Sequence, residues 1–257
     1  MKKYPVFIIG SPRSGTSALA GAMLTAGYHG FHEGNFLSLL TTLNRMIDRH
    51  FAIFGNDGPK VLASVVDRQS LSRAIANVFR DFVERHNPNP PWFDKSGNPE
   101  MIEAIPSILE LWPESVFLFA KRRAIENIVS RMLKFPTLNF EYHCRDWAKN
   151  METWRTIRHR IPANKYLEID QQDLIRDPEM AANKIAKLLD LPEIQVASLT
   201  KLFQEHRPQQ TEAGTAQRIL SLEDLWDEPR RHLFEKICGP EMKLYGYSFD
   251  AHYWAAV

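Results

Sequence analysis

Residues 5–17 read PVFIIGSPRSGTS, and the fold is decided in this stretch. PVFII (5–9) is a short, continuous apolar run rich in β-branched residues, the composition of a parallel strand buried on both faces. It stops at Gly10. Beyond SPRSG, the small and apolar residues Ala18, Leu19, Ala22, Met23 and Ala26 recur at helical spacing, and Gly27 supplies a C-terminal stop. Strand, glycine-containing loop and helix in that order make an anion cradle, because the first N–H groups of a helix lack intrahelical partners and carry partial positive charge. Gly15 lets the backbone approach an anion closely, and Ser14, Thr16 and Ser17 add hydroxyl donors.

The spacing is close to that of a Walker A loop, but Thr16 stands where the lysine of an NTPase belongs. The cation lies earlier, at Arg13, whose fork of donors suits a single phosphate group better than a triphosphate.

Outward from this unit, strands alternate with longer helical segments. Leu71, Ile75, Val78, Phe79, Phe82 and Val83 share one helix face before HNPNPP breaks it, and WFDK (92–95) reads as a short strand. A helix is predicted from Pro99 to Leu111, a strand over SVFLFA (115–120), a basic run from Lys121 to Arg123 and a helix from Ala124 to Leu133. Residues 140–160 read as helix, KYLEID (165–170) as strand and 178–190 as an amphipathic helix, with Asp177 as N-cap and Pro178 in the first turn. The expected fold class is α/β, a three-layer parallel sheet flanked by helices and P-loop-like, with 1–257 forming one domain.

The loop Pro12–Ser17 resembles the 5'-phosphosulfate loop of sulfotransferases that use 3'-phosphoadenosine-5'-phosphosulfate (PAPS), commonly PRSGT or PKSGT between the first strand and helix. A second similarity follows SVFLFA. There the family places an arginine at the strand end and a serine eight residues on, and Arg122 and Ser130 stand at that separation. Arg123 competes for the arginine role, and Lys134 adds charge nearby. A third is FDKSG (93–97), similar to the family's DKTP-like segment, and YLEIDQQDLIRDPE (166–179) with Gly246–Tyr247 looks like its later elements.

The resemblance implies that Arg13, Ser14, Gly15, Thr16 and Ser17 hold the 5'-phosphate of PAPS, and that Arg122 and Ser130 hold the 3'-phosphate. Lys95 would stabilise charge on the leaving oxygen. Glu33, in GFHEGNF, would serve as general base, with His32 as the alternative. The implied reaction moves a sulfuryl group to a hydroxyl-type acceptor (small molecule, sugar, lipid or peptide) by in-line displacement, releasing adenosine 3',5'-bisphosphate. Arg218, in RPQQTEAGTAQR (207–218), is a candidate further donor contact. Two rivals stay open: an ATP-dependent P-loop phosphotransferase, and a non-catalytic nucleotide-binding module.

Charge and composition narrow the partners. With 32 basic against 31 acidic residues, net charge is +1, and no global field favours nucleic acid or a membrane surface. Cys144 and Cys238 have no metal-ligand or disulfide-framework spacing and read as reduced, structural thiols. His29, His32 and Glu33 lack the further ligands of a metal site, so no metal is expected. No apolar run reaches the roughly 18 residues that span a bilayer, and a soluble, cytoplasmic protein is expected.

Overall fold

The structure is a computed structural model and describes residues 4–55, 58, 60–87, 90–205 and 219–255. The first half runs β1 (Val6–Gly10), α1 (Thr16–Thr25), β2 (His29–Phe31), α2 (Ser38–Phe54), α3 (Leu62–Val65), α4 (Arg68–His86) and β3 (Trp92–Ser96). Next come α5 (Pro99–Glu103), α6 (Ile105–Leu111), β4 (Val116–Lys121), α7 (Ala124–Lys134), α8 (Phe140–Ile157) and β5 (Tyr166–Asp170). The chain ends with α9 (Gln171–Arg176), α10 (Pro178–Leu189), α11 (Glu193–Glu205), α12 (Leu222–Leu225) and α13 (Glu228–Leu244).

The strands form one sheet in the order β2-β3-β1-β4-β5, and every neighbouring pair is parallel. Both faces of β1 are buried, which is why its sequence is a continuous apolar run rather than an alternation. Phe7, Ile9, Phe117 and Phe119 face one layer, against Met101, Ile105, Ile128, Trp147 and Trp154. Ile8 and Leu118 face the other, against Leu19, Met23, Ile185, Leu189 and Leu199. The result is the three-layer α/β arrangement that the alternating pattern predicts.

Strand order reverses at β1. After it the chain builds β2 and β3 on one side, then places β4 on the other, so β1 and β4 flank the topological switch point, beyond whose carboxyl ends open α/β sheets carry their binding crevice. Gly10 makes the close approach there. Its φ is +133°, and a Cβ on it would lie 2.1 Å from the carbonyl oxygen of Ala120.

Three departures from the sequence reading have physical causes. The helix predicted over 99–111 is divided at Ala104 into α5 and α6, because Pro106 has no N–H for the Ile102 carbonyl and its ring crowds that turn. β2 has only three residues, too few to show a period. α2 buries only Leu40, Thr41 and Ile47, a thin stripe for a helix of 17 residues. Among the described residues no helix is long and apolar enough to cross a membrane.

Candidate active site at the carboxyl end of the sheet

The loop after β1 turns sharply. Ser14 N–H donates to the Ser11 carbonyl at 3.2 Å, Arg13 has φ +71°, and Gly15 caps α1 in the left-handed region at φ +94°. A β-carbon at Gly15 would pay a steric penalty for that conformation, so glycine fits the motif position. The first turn of α1 has no acidic residue and no side-chain cap, which leaves its positive end turned towards the crevice.

The helix after β4 braces this loop from beneath. Asn127 Nδ2 donates to the Pro12 carbonyl at 2.9 Å and to Ser14 Oγ at 3.0 Å. Arg131 Nη1 donates to Ser11 Oγ at 3.0 Å and pairs with Asp146 of α8 at 2.7 Å. Asn127, Ser130 and Arg131 are spaced to share one face of α7, and all three are buried.

The two anion motifs of the sequence meet here. Arg13 Nε donates to Ser130 Oγ at 2.9 Å, and Arg122 Nη1 donates to the Arg13 carbonyl at 3.2 Å. Arg122 is buried, and its Nε has no hydrogen-bond partner. Burial depresses the basicity of both guanidinium groups, and the neighbouring Arg122 lowers that of Arg13 further. Two arginines brought together with hydroxyls and a helix N-terminus are arranged for an anion.

Arg123 is turned elsewhere. Its guanidinium pairs with Glu126 and donates to the carbonyls of Leu220, Ser248, Asp250 and His252, so its donors are committed to pinning the C-terminal segment. Lys134 ends α7 and is exposed. The expected β5 and Gly246–Tyr247 motifs also meet, because Tyr247 and Tyr253 hydroxyls donate to the two oxygens of Asp170 at 2.6 and 2.7 Å. Asp177 caps α10 through the Met180 N–H at 2.9 Å, with Pro178 in the first turn. The 207–218 segment, with Arg218, lies outside the described residues.

Lys95 sits near the end of β3 with its side chain only 5% exposed. Its ammonium pairs with Glu33, whose side chain is 61% exposed, and reaches Ser17 Oγ of the loop at 3.5 Å. His32 is exposed, and its ring lies edge-on to Phe93 at 5.6 Å. Of the two base candidates, Glu33 is therefore the one in contact with Lys95. Asp94, beside Lys95 in sequence, is fully buried on the opposite face of β3, and burial raises its carboxyl to about 7.

Of the residues singled out in the sequence, Arg13, Ser130 and Arg122 thus meet in one group and Ser17, Lys95 and Glu33 in another, and the loop through Ser14, Gly15 and Thr16 joins the two. Sequence reasoning did not single out Asn127, Arg131 or Asp94. The polar i, i+3, i+4 face of α7 was the available signal for the first two. Among the described residues no group of three His, Cys, Asp or Glu side chains is placed to hold a metal ion.

The profile of the sulfotransferase family matches residues 5–195. An uncharacterized protein of Aquifex aeolicus (strain VF5) is 22% identical over 205 residues, which cover 74% of this chain and 26% of that protein. The chain therefore spans about a quarter of the length of this curated relative. Among solved structures, the sulfotransferase domain from the curacin biosynthetic pathway superposes with a TM-score of 0.53 at 17% identity, covering 96% of this chain and 99% of that one. The sulfotransferase domain of the Synechococcus PCC 7002 olefin synthase gives 0.55 at 17%, covering 92% and 95%. Mouse sulfotransferase SULT7A1, solved complexed with PAP, gives 0.52 at 12%, covering 95% and 85%. At these identities the structural likeness is one of fold, while the family match extends over most of the chain: this protein belongs to the sulfotransferase family.

Proposed function

We propose that the protein transfers a sulfuryl group from PAPS to a hydroxyl-type acceptor, and that the crevice beyond β1 and β4 is its active site. The observation that carries this reading is the junction of Arg13, Ser130 and Arg122, which sets two anion-binding motifs side by side at the sheet's switch point. The fit is supported by the left-handed Gly15 at the uncapped start of α1 and by the buried, unpartnered Nε of Arg122. The complex of the mouse fold relative with PAP supports the same class of nucleotide.

In this reading Arg13, Ser14, Gly15, Thr16 and Ser17 hold the 5'-phosphate, and Arg122 with Ser130 holds the 3'-phosphate. When bound, PAPS supplies a sulfuryl group attached to a phosphate leaving group. Lys95, poised between Ser17 and Glu33, neutralises negative charge on the oxygen that departs. Glu33, in contact with Lys95, accepts the proton of the attacking hydroxyl. Its exposure leaves room for an acceptor beside it. A small molecule, sugar, lipid or peptide hydroxyl would serve chemically, and no residue of this mechanism requires a metal.

Incubating the protein with PAPS and pooled hydroxyl acceptors, and measuring acceptor-dependent release of adenosine 3',5'-bisphosphate, tests the proposal. Release that depends on both substrates is expected. Turnover of ATP with magnesium in place of PAPS would instead favour the phosphotransferase rival, and donor binding without release across all acceptors would favour a non-catalytic module.

A further inference from the structure

Asp94 is a fully buried carboxyl that the proposed chemistry does not use. Its Oδ2 accepts from Ser96 Oγ at 3.0 Å, and Ser96 Oγ in turn accepts the Asn35 N–H at 2.9 Å. Its Oδ1 has no hydrogen-bond partner. Directly against that oxygen lies Gly34, where an added Cβ would stand 1.7 Å from Oδ1 and 2.8 Å from the ring edge of Phe36. Gly34 N–H donates to the Lys95 carbonyl at 3.2 Å. The segment 33–35 is thus pressed onto the end of β3 at consecutive residues, with the carboxyl of Asp94 filling the notch left by a residue without a side chain. Glu33 and Lys95 are the charged groups whose fields bear on Asp94.

We propose that Asp94, Ser96 and Gly34 form a latch that seats the Glu33 segment on β3, making Asp94 a positioning residue for the Glu33–Lys95 pair. The functional weight of that pair rests on the sulfuryl-transfer reading, whereas the latch itself is a property of this fold. A residue that touches neither substrate acts here by fixing where a carboxylate stands relative to a buried ammonium, and small displacements of such groups carry large rate penalties. Glycine at 34 is required for space, and any larger residue must displace a short, hydrogen-bonded, buried side chain.

Hydrogen exchange of the full chain, read by mass spectrometry on peptides covering residues 31–37, tests the latch. In Ser96→Ala and Asp94→Ala the amides of 34 and 35 should exchange roughly tenfold faster than in the wild type. Asp94→Asn keeps an acceptor for the Ser96 hydroxyl and should retain most of the protection, which a loss of general stability would not predict. Gly34→Ala should also lose protection, and the double variant Gly34→Ala/Asp94→Ala should regain part of it, because the new methyl takes the space of the carboxyl. Adenosine 3',5'-bisphosphate titrated into the same samples reports the donor side separately, and its affinity should stay within about twofold of the wild type. Unchanged exchange in both Ser96→Ala and Asp94→Ala, or a double variant no better protected than Gly34→Ala, overturns the latch. Failure of the bisphosphate to bind the wild type overturns the sulfuryl-transfer reading instead, and the exchange result then still decides the latch.

Discussion

The proposed donor side and acceptor side of the site are built by different means. On the donor side, the loop after β1 is tied from beneath by Asn127 and Arg131, and Arg13 is fixed to Ser130 from an element more than a hundred residues away. Of its cations, Arg122 is buried and Arg13 half-buried. On the acceptor side, Glu33 is largely in solvent, held by one ammonium and by the contacts of the segment that carries it. Around it the chain is helical and exposes Leu39, Met46, Val78 and Phe82. In the proposed reading, the donor side is preorganised for one fixed kind of anion, while the acceptor side fixes only its reacting groups and leaves the rest open.

Substitutions sharpen this contrast, beginning with the largest effect. Gly10→Ala forces a Cβ to within 2.1 Å of the Ala120 carbonyl in a backbone conformation hostile to L-residues. It should destabilise the protein by upwards of about 3 kcal/mol, seen as a large fall in urea midpoint, because the clash is with backbone in the sheet centre. If stability is unchanged, β1 and β4 do not approach as described. Next, Lys95→Ala should lower turnover by about 10²–10³-fold, more than it weakens bisphosphate binding, as expected of a cation that acts on charge developing in the transition state. Glu33→Gln should lower turnover by about 10²-fold with only a small change in melting temperature, since the amide oxygen still accepts from the Lys95 ammonium.

An effect confined to one pH range separates a buried carboxyl from an exposed one. Burial lifts Asp94 to about 7, so the folded protein retains a proton that the unfolded chain gives up near pH 4. This carboxyl therefore stabilises the fold most in acid, and the contribution is lost as pH rises through 7. Asp94→Asn stays neutral throughout, so the stability difference between the two proteins should shift in favour of the variant across that window, by up to ~1.4 kcal/mol per pH unit. Asp170, raised by burial to about 6, shifts both proteins alike and cancels in the comparison. A flat difference from pH 4 to 8 would mean that Asp94 titrates as an ordinary exposed carboxyl.

The legibility of the chain follows the same division. GSPRSGTS was readable because an anion cradle demands a strand, a glycine and a helix start in immediate succession, and all three leave marks in the letters. Lys95 and Glu33 were readable only through a resemblance, since a lysine near a strand end and a glutamate in a turn are ordinary surface residues until the sheet brings them together. The choice of Arg122 over Arg123 rested on the resemblance alone, through the spacing to Ser130. Adjacent residues at a strand end point to opposite sides, and which one meets the crevice depends on the C-terminal carbonyls that claim Arg123. Asp94 was passed over for a similar reason, because nothing in FDKSG says that its carboxyl is buried against a glycine of the segment after β2. β2 carries no periodicity in three residues, yet it is the strand that leads to Glu33.

The central claim is that Arg13, Ser130 and Arg122 read a nucleotide bearing phosphates at both its 3' and 5' positions. Isothermal titration of adenosine 3',5'-bisphosphate and of adenosine 5'-monophosphate into the wild type and Arg122→Ala tests it most directly. The account predicts that the wild type binds the bisphosphate more tightly than the monophosphate, and that Arg122→Ala loses roughly 10–100-fold of the bisphosphate affinity while the monophosphate is little affected. Equal affinity for the two nucleotides in the wild type, or an unchanged bisphosphate affinity in Arg122→Ala, would contradict it.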